Sequence, residues 1–165
     1  MLEPGHVAAA AAEPLAQRTA ERVRDHMLMQ DHAARALGIE IVTVGPGRSR
    51  VRMPVRQDMM NGFAMCHGGL IATLADTAFA YACNAYNEVT VASGLSIDFI
   101  APAKLGDVLE ATCVEQALSG RTGVYDVIVS NQRAERVALF RGRSYRIKGR
   151  PVVEAVASAA ADDQT

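Results

Sequence analysis

The run NGFAMCHGGLIATLADTAFAYACN, residues 61–84, decides how the chain folds, because it joins a polar, glycine-rich turn to the most apolar helical pattern in the sequence. Leu70, Ile71, Leu74, Ala75, Ala78, Phe79, Ala82 and Cys83 recur at three- and four-residue spacing, a stripe wide enough to predict a buried helix. Its one carboxylate is Asp76. Aspartate is a poor helix former, and its charge is costly to bury without a partner, so a functional role accounts for it better than a structural one.

Gly68 and Gly69 precede the first apolar turn. The first N–H groups of a helix have no intrahelical acceptor and carry the positive end of its dipole, and glycine lets a ligand oxygen approach them closely. A thioester carbonyl turning into an oxyanion is one candidate for what such donors stabilise. Gly69 and Asp76 lie on nearly the same helix face but about two turns, roughly 10 Å, apart along the axis. One carbonyl cannot touch both. A site that uses both therefore takes its carboxylate from a second copy of the helix, across a dimer interface.

The segment 61–69, with its Asn-Gly and His-Gly-Gly, followed by Leu74-Ala75-Asp76-Thr77-Ala78-Phe79 and the rest of the run to Asn84, resembles the signature of hotdog-fold acyl-CoA thioesterases of the phenylacetate-degradation type. The resemblance continues through Ser96-Ile97-Asp98-Phe99, Thr122-Gly123-Val124-Tyr125-Asp126 and Val137-Ala138-Leu139-Phe140-Arg141-Gly142, roughly from Arg22 to Gly149. It implies hydrolysis of aromatic acyl-CoA thioesters, such as phenylacetyl-CoA or its hydroxylated forms, by a tetramer built from two dimers. No metal or bound cofactor is expected, since coenzyme A belongs to the substrate. In this reading the Gly68 and Gly69 backbone polarises the carbonyl, Asn61 and His67 shape that end of the site, and Asp76 of the facing protomer supplies the carboxylate. Asp76 acts either as general base towards water or as nucleophile giving a mixed anhydride.

Each of these residues has a second reading. Asn61-Gly62 forms a turn in any case, and the Asn61 amide either serves only that turn or holds a water or the thioester carbonyl. His67 either closes the loop onto backbone or touches substrate. Thr77 orients water or bonds back to a helix carbonyl. Phe63 and Ala64 stand where related sequences are more polar, which makes Phe63 a candidate substrate contact and suggests tolerance of more apolar acyl groups. Arg133, Arg136, Arg141, Arg143, Arg146 and Lys148 make the last third basic, and some of this group, with Arg141 and Arg143 alternating on one strand face, are candidates for coenzyme A phosphates. Two other classes compete: a hotdog enoyl-CoA hydratase or dehydratase, and a non-catalytic acyl-CoA-binding regulatory module. The signature argues against the first, and a carboxylate on a buried helix against the second.

The remaining chain fits one α+β domain. Residues 1–16 read as a flexible extension without a secretory pattern, residues 17–149 as the hotdog domain and residues 150–165 as a disordered tail. Helical periodicity covers Gln17 to Leu37 in two pieces, with Asp31 capping the second and Gly38 stopping it. Strands are expected at 39–44 and 48–55, joined by Gly45-Pro46-Gly47, and then at 89–100, 108–118, 123–131 and 137–147. One apolar helix between a hairpin and four strands predicts an antiparallel sheet wrapped around that helix. A net charge of −1 argues against nucleic-acid partners, and no apolar run is long enough to span a membrane. Three cysteines without metal-ligand or CxxC spacing suggest reduced, buried thiols in a cytoplasmic protein. Asp25, His26, Asp31 and His32 read as a polar helix face rather than a metal cluster.

Overall fold

The computed structural model describes the backbone of residues 4–154 and side chains from residue 14 onward. In chain order the elements are α1 (Pro4–Gln30), α2 (His32–Leu37), β1 (Glu40–Gly45), β2 (Arg48–Pro54), a short 3-10 turn (Gln57–Met59), α3 (Gly68–Asn84), β3 (Thr90–Phe99), β4 (Val108–Ser119), β5 (Thr122–Ser130) and β6 (Arg136–Arg146). The strands form one antiparallel sheet in the order β1-β2-β4-β5-β6-β3, curled around α3. This is the expected α+β hotdog arrangement.

Alternation builds the sheet's inner face. Val51, Met53, Leu109, Ala111, Cys113, Val127, Val129 and Phe140 point to α3 and are buried, as residues two apart on a strand must share a face. From α3 come Ile71, Leu74, Ala75, Ala78, Phe79 and Ala82, so nearly the whole apolar stripe enters the core. Phe79 meets Tyr125 edge-on, with centroids 5.3 Å apart at 60°. Gly142 allows this packing, since a Cβ there would lie 2.9 Å from the Phe79 ring. Two polar clamps fix the helix on the sheet. Ser49 Oγ donates to Ala78 O at 2.6 Å, and buried Asn84 accepts from Thr90 N–H and donates to Thr90 O, both at 2.9 Å.

The two sheet edges differ. Beyond β1 lies α1, whose Gln17 amide donates to Val44 O at 2.8 Å. The ten residues of β3 pair on one side with β6, and no second strand pairs with them among the described residues.

Asp31 caps α2 by accepting from Ala34 N–H at 3.0 Å, and Gly38 ends it in the left-handed region at φ 69°, as the sequence predicts. At both ends of the expected domain, ordered elements and contacts reach past residues 17 and 149. Helix α1 is continuous from Pro4, because alanine, which fills positions 8–12, has the highest intrinsic helix propensity and carries the helix through the expected extension. After Gly149 the chain stays attached: Asn87 exchanges hydrogen bonds with the Val153 backbone at 2.8 and 3.0 Å, and Val89 N–H donates to Arg150 O at 2.8 Å. Residues 1–3 and 155–165 of the expected extension and tail lie outside the described residues.

Candidate active site

The site grows from the turn that launches α3. His67 is the N-cap residue, with extended backbone, and its Nδ1 accepts from Gly69 N–H at 3.2 Å. Its carbonyl accepts from Leu70 N–H at 2.9 Å and from Ile71 N–H at 3.4 Å. Of the first helical donors, only the Gly68 N–H is left without an acceptor among the described residues. The structure thus separates two glycines that the sequence treats alike. Gly68 presents the open donor, while Gly69 is capped by the histidine.

Asn61 shapes the loop before them. Its Oδ1 accepts from Phe63 N–H at 2.9 Å and from Met65 N–H at 3.2 Å, while its own N–H donates to Met65 O at 2.7 Å. The acceptor end of the amide is consumed by the turn. The Nδ2 end makes no hydrogen bond among the described residues, and Asn61 lines a cavity of about 310 Å³ with Met65, Cys66, Gly68, Ile71 and Phe99. The turn reading of Asn61 therefore holds at Oδ1, and Nδ2, beside the cavity, is left without a partner among the described residues. The walls are mainly apolar, and the free Gly68 donor lies among them.

Phe99 sets the space over Gly68. Ring carbons of Phe99 stand 3.0–3.4 Å from where a Gly68 Cβ would be, so only glycine fits without displacing the ring. From sequence Ile71 reads only as a core residue, and Phe99 and Met65 only as parts of the resemblance; none is placed in the site. Phe99 lies 31 residues after Gly68 along the chain and is placed by the β3–β6 pairing, and no local pattern reports that contact.

Asp76 lies farther along α3, half-buried, with no hydrogen-bond or ion-pair partner among the described residues. Burial pushes its carboxyl above the usual aspartate range, because the charged form loses hydration. Its neighbours are arranged along the same face. Thr73 Oγ1 donates to Gly69 O at 2.9 Å, and Thr77 Oγ1 donates to Thr73 O at 2.8 Å, the back-bonded alternative foreseen for Thr77. Gly69 is exposed and Thr73, Asp76 and Thr77 are partly so, forming a polar ribbon on a helix whose other faces are buried.

Phe63 stands at the loop tip with 84% of its surface exposed, followed by Ala64 in the left-handed region at φ 56°. The arginines go elsewhere. Gly142 and Ser144 point to α3, so Arg141 and Arg143 project from the opposite face of β6. Arg141 is held by Asp126 in a bidentate pair at 2.7 and 2.8 Å, and Arg143 lies against Gly94 of β3. The structure does not bring either to the glycine turn.

Cys66, Cys83 and Cys113 are free and buried, and burial raises all three thiols, Cys83 to about 12. They pack as small hydrophobes. Among the described residues no group of three His, Cys, Asp or Glu side chains is placed to hold a metal ion, and no helix is long and apolar enough to cross a membrane.

A profile of the thioesterase superfamily matches residues 63–138. The acyl-coenzyme A thioesterase PaaI of Escherichia coli (strain K12) is 48% identical over 123 residues, 74% of this chain and 88% of that protein. The structure of the E. coli PaaI protein, from the phenylacetic acid degradation operon, superposes with a TM-score of 0.80 at 45% identity, covering 81% of this chain and 97% of the other. A Streptococcus mutans UA159 protein, smu.793, solved bound to acetyl-CoA, superposes at 0.65 with 27% identity, covering 68% and 90%. The signature turn, the six-stranded sheet around α3 and this identity agree, and the chain belongs to the thioesterase superfamily, with the hotdog fold.

Proposed function

We propose that the chain hydrolyses aromatic acyl-CoA thioesters, phenylacetyl-CoA or its hydroxylated forms, to the free acid and coenzyme A, in the cytoplasm and in connection with phenylacetate degradation. One observation carries the reading: a half-buried carboxylate without a partner, Asp76, lies along the same helix as an amide donor without an acceptor, Gly68, about two turns away.

That separation is too long for one thioester carbon to bridge, so the working site pairs Gly68 of one protomer with Asp76 of its partner. The ribbon Gly69, Thr73, Asp76 and Thr77, turned outward from a buried helix, supports a facing copy of α3. So does the open β3 edge, where a second β3 extends the sheet across the dimer. Exposed Ile128 and Leu139 on the outer sheet face suit a further contact between two such dimers.

In this arrangement the thioester carbonyl lies against Gly68 N–H, with Asn61 Nδ2 as a second donor and Met65, Ile71 and Phe99 around the acyl group. His67 holds the turn, and the Phe63 loop borders the acyl end. Asp76 either removes a proton from the attacking water or attacks the carbonyl carbon itself. In both routes negative charge passes to the carbonyl oxygen, where the Gly68 N–H stabilises it, and coenzyme A leaves as the thiolate; in the second route water then hydrolyses the mixed anhydride, releasing the acid and regenerating the Asp76 carboxylate. Thiol release from phenylacetyl-CoA, followed beside loss of enoyl absorbance from an enoyl-CoA, tests the reading. Thiol release abolished by Asp76→Asn is expected, and enoyl hydration without thiol release would overturn it.

A further inference from the structure

Arg141 and Arg143 lie on the sheet face turned away from α3, whereas another cation lies closer to the cavity beside Gly68. A second cavity, of about 560 Å³, forms where the segment 101–107 between β3 and β4 meets the turn 131–135 between β5 and β6. It shares Ala101 and Pro102 with the cavity beside Gly68, so the two are neighbours across one short wall.

Two cations line it, Lys104 and Arg133, and they differ. Arg133 is committed to Asp107 at 3.2 Å and to Glu135 at 3.0 Å. Asp107 is buried and saturated: Oδ2 accepts from Lys104 N–H at 2.8 Å, and Oδ1 accepts from Gln132 Nε2 at 3.1 Å as well as from Arg133. The Lys104 ammonium is exposed and has no carboxylate within ion-pair distance among the described residues. Its backbone is fixed, since Asp107 N–H also donates to Lys104 O at 3.0 Å and Gly106 N–H to Val55 O at 3.0 Å. One residue earlier, Ala103 O accepts from Cys66 N–H at 2.9 Å, which ties this segment directly to the turn that carries His67 and Gly68.

We infer that Lys104 binds a phosphate of the substrate's nucleotide end in this second cavity, while the acyl end lies in the first. The inference rests on the acyl-CoA reading above. A lysine ammonium recognises phosphate as a point charge, and here it is unneutralised on a rigid segment bordering the acyl pocket. Because the phosphates take no part in bond making, their contact is equal in ground and transition states, and its loss raises KM without lowering kcat.

The test compares phenylacetyl-CoA with the same acyl group on N-acetylcysteamine, which has no phosphates, for the wild type, Lys104→Ala, Lys104→Glu and Arg143→Ala. Expected are a KM for phenylacetyl-CoA raised about tenfold in Lys104→Ala and further in Lys104→Glu, kcat retained, the truncated thioester unaffected, and Arg143→Ala like wild type. Unchanged KM in Lys104→Glu, or equal losses on both thioesters, overturns the inference. Calorimetric titration with coenzyme A separates this from the function itself. A wild type that hydrolyses neither thioester defeats the proposed reaction, but coenzyme A binding weakened by Lys104→Glu still supports the site. Equal binding, or none by the wild type, rejects it.

Discussion

His67 Nδ1 accepts the Gly69 N–H at 3.2 Å, and this one hydrogen bond makes Gly68, not Gly69, the open donor at the head of α3. Proline is tolerated at the first position of a helix, because its missing N–H has no intrahelical acceptor to lose. Gly68→Pro is therefore expected to fold and to lower kcat by about 10²-fold, as loss of an oxyanion donor does. Gly68→Ala is the control for crowding of Phe99, as it adds a Cβ but keeps the N–H. Equal kcat in the two variants would assign the effect to Phe99 instead.

The same bond predicts what His67 contributes to stability. His67→Ala removes the cap acceptor, a loss of about 1 kcal/mol, which lowers Tm by roughly 2–4 °C in a domain of this size. Asn caps helices well, so His67→Asn is expected to restore Tm. Thermal scans read the cap, and kcat of the Asn variant reads the chemistry: wild-type kcat there limits His67 to holding the turn.

How much of this was legible beforehand depended on range along the chain. Strands β1 to β6 and helix α3 followed from alternation and three-to-four spacing, because burial imposes those periods locally. Asp76 stood out by being charged in an apolar stripe. The Asp31 cap of α2 was legible, but the partners of the arginines and of His67 were not. Arg141 and Arg143 share a face as expected, but whether that face looks towards α3 depends on sheet curl, and the Asp126 that occupies Arg141 is fixed by strand register. His67 and Gly69 are two residues apart, yet only the turn's dihedrals decide that the ring folds back onto the amide. Lys104 carried no sequence signal, since its freedom from carboxylates arises from Asp107 and Glu135 both turning to Arg133.

Asp76 titration gives two pH signatures. In the proposed mechanism activity needs the carboxylate, and burial raises its pKa, so the acid limb of kcat/KM is expected above the usual aspartate pKa of about 3.9, with activity rising as pH rises. Stability has the opposite sign. A carboxyl whose folded pKa lies above its unfolded value weakens the fold once it ionises, and that penalty disappears as pH falls below the unfolded pKa. Asp76→Asn should therefore melt higher than wild type at neutral pH and lose its advantage near pH 4 or below. A variant less stable at neutral pH would mean that the carboxylate has a favourable partner in the assembled protein.

The core makes its own test at Gly142. A methyl there would sit 2.9 Å from Phe79 and 3.0 Å from Phe140 ring carbons, both deep in the core. Gly142→Ala is expected to cost about 1–3 kcal/mol by overpacking. Urea unfolding measures this as a lower midpoint at unchanged slope. Stability equal to wild type would show that Phe79 can move aside.

The proposed shared site makes the most demanding prediction, because neither of the two chains expected to be inactive lacks what the other has lost. Asp76→Asn keeps the Gly68 donor, and Gly68→Pro keeps the carboxylate. If each site takes its donor from one protomer and its carboxylate from the other, a mixed dimer contains one intact site and one lacking both groups. Random reassembly makes about half the dimers mixed, so roughly a quarter of wild-type activity should return when equal amounts are unfolded together and refolded. The chains need distinguishable tags, so that mixed dimers can be isolated and their activity measured per dimer. Isolated mixed dimers with about half the wild-type kcat would establish the exchange. Mixed dimers as inactive as either parent would place Gly68 and Asp76 in separate roles within one chain.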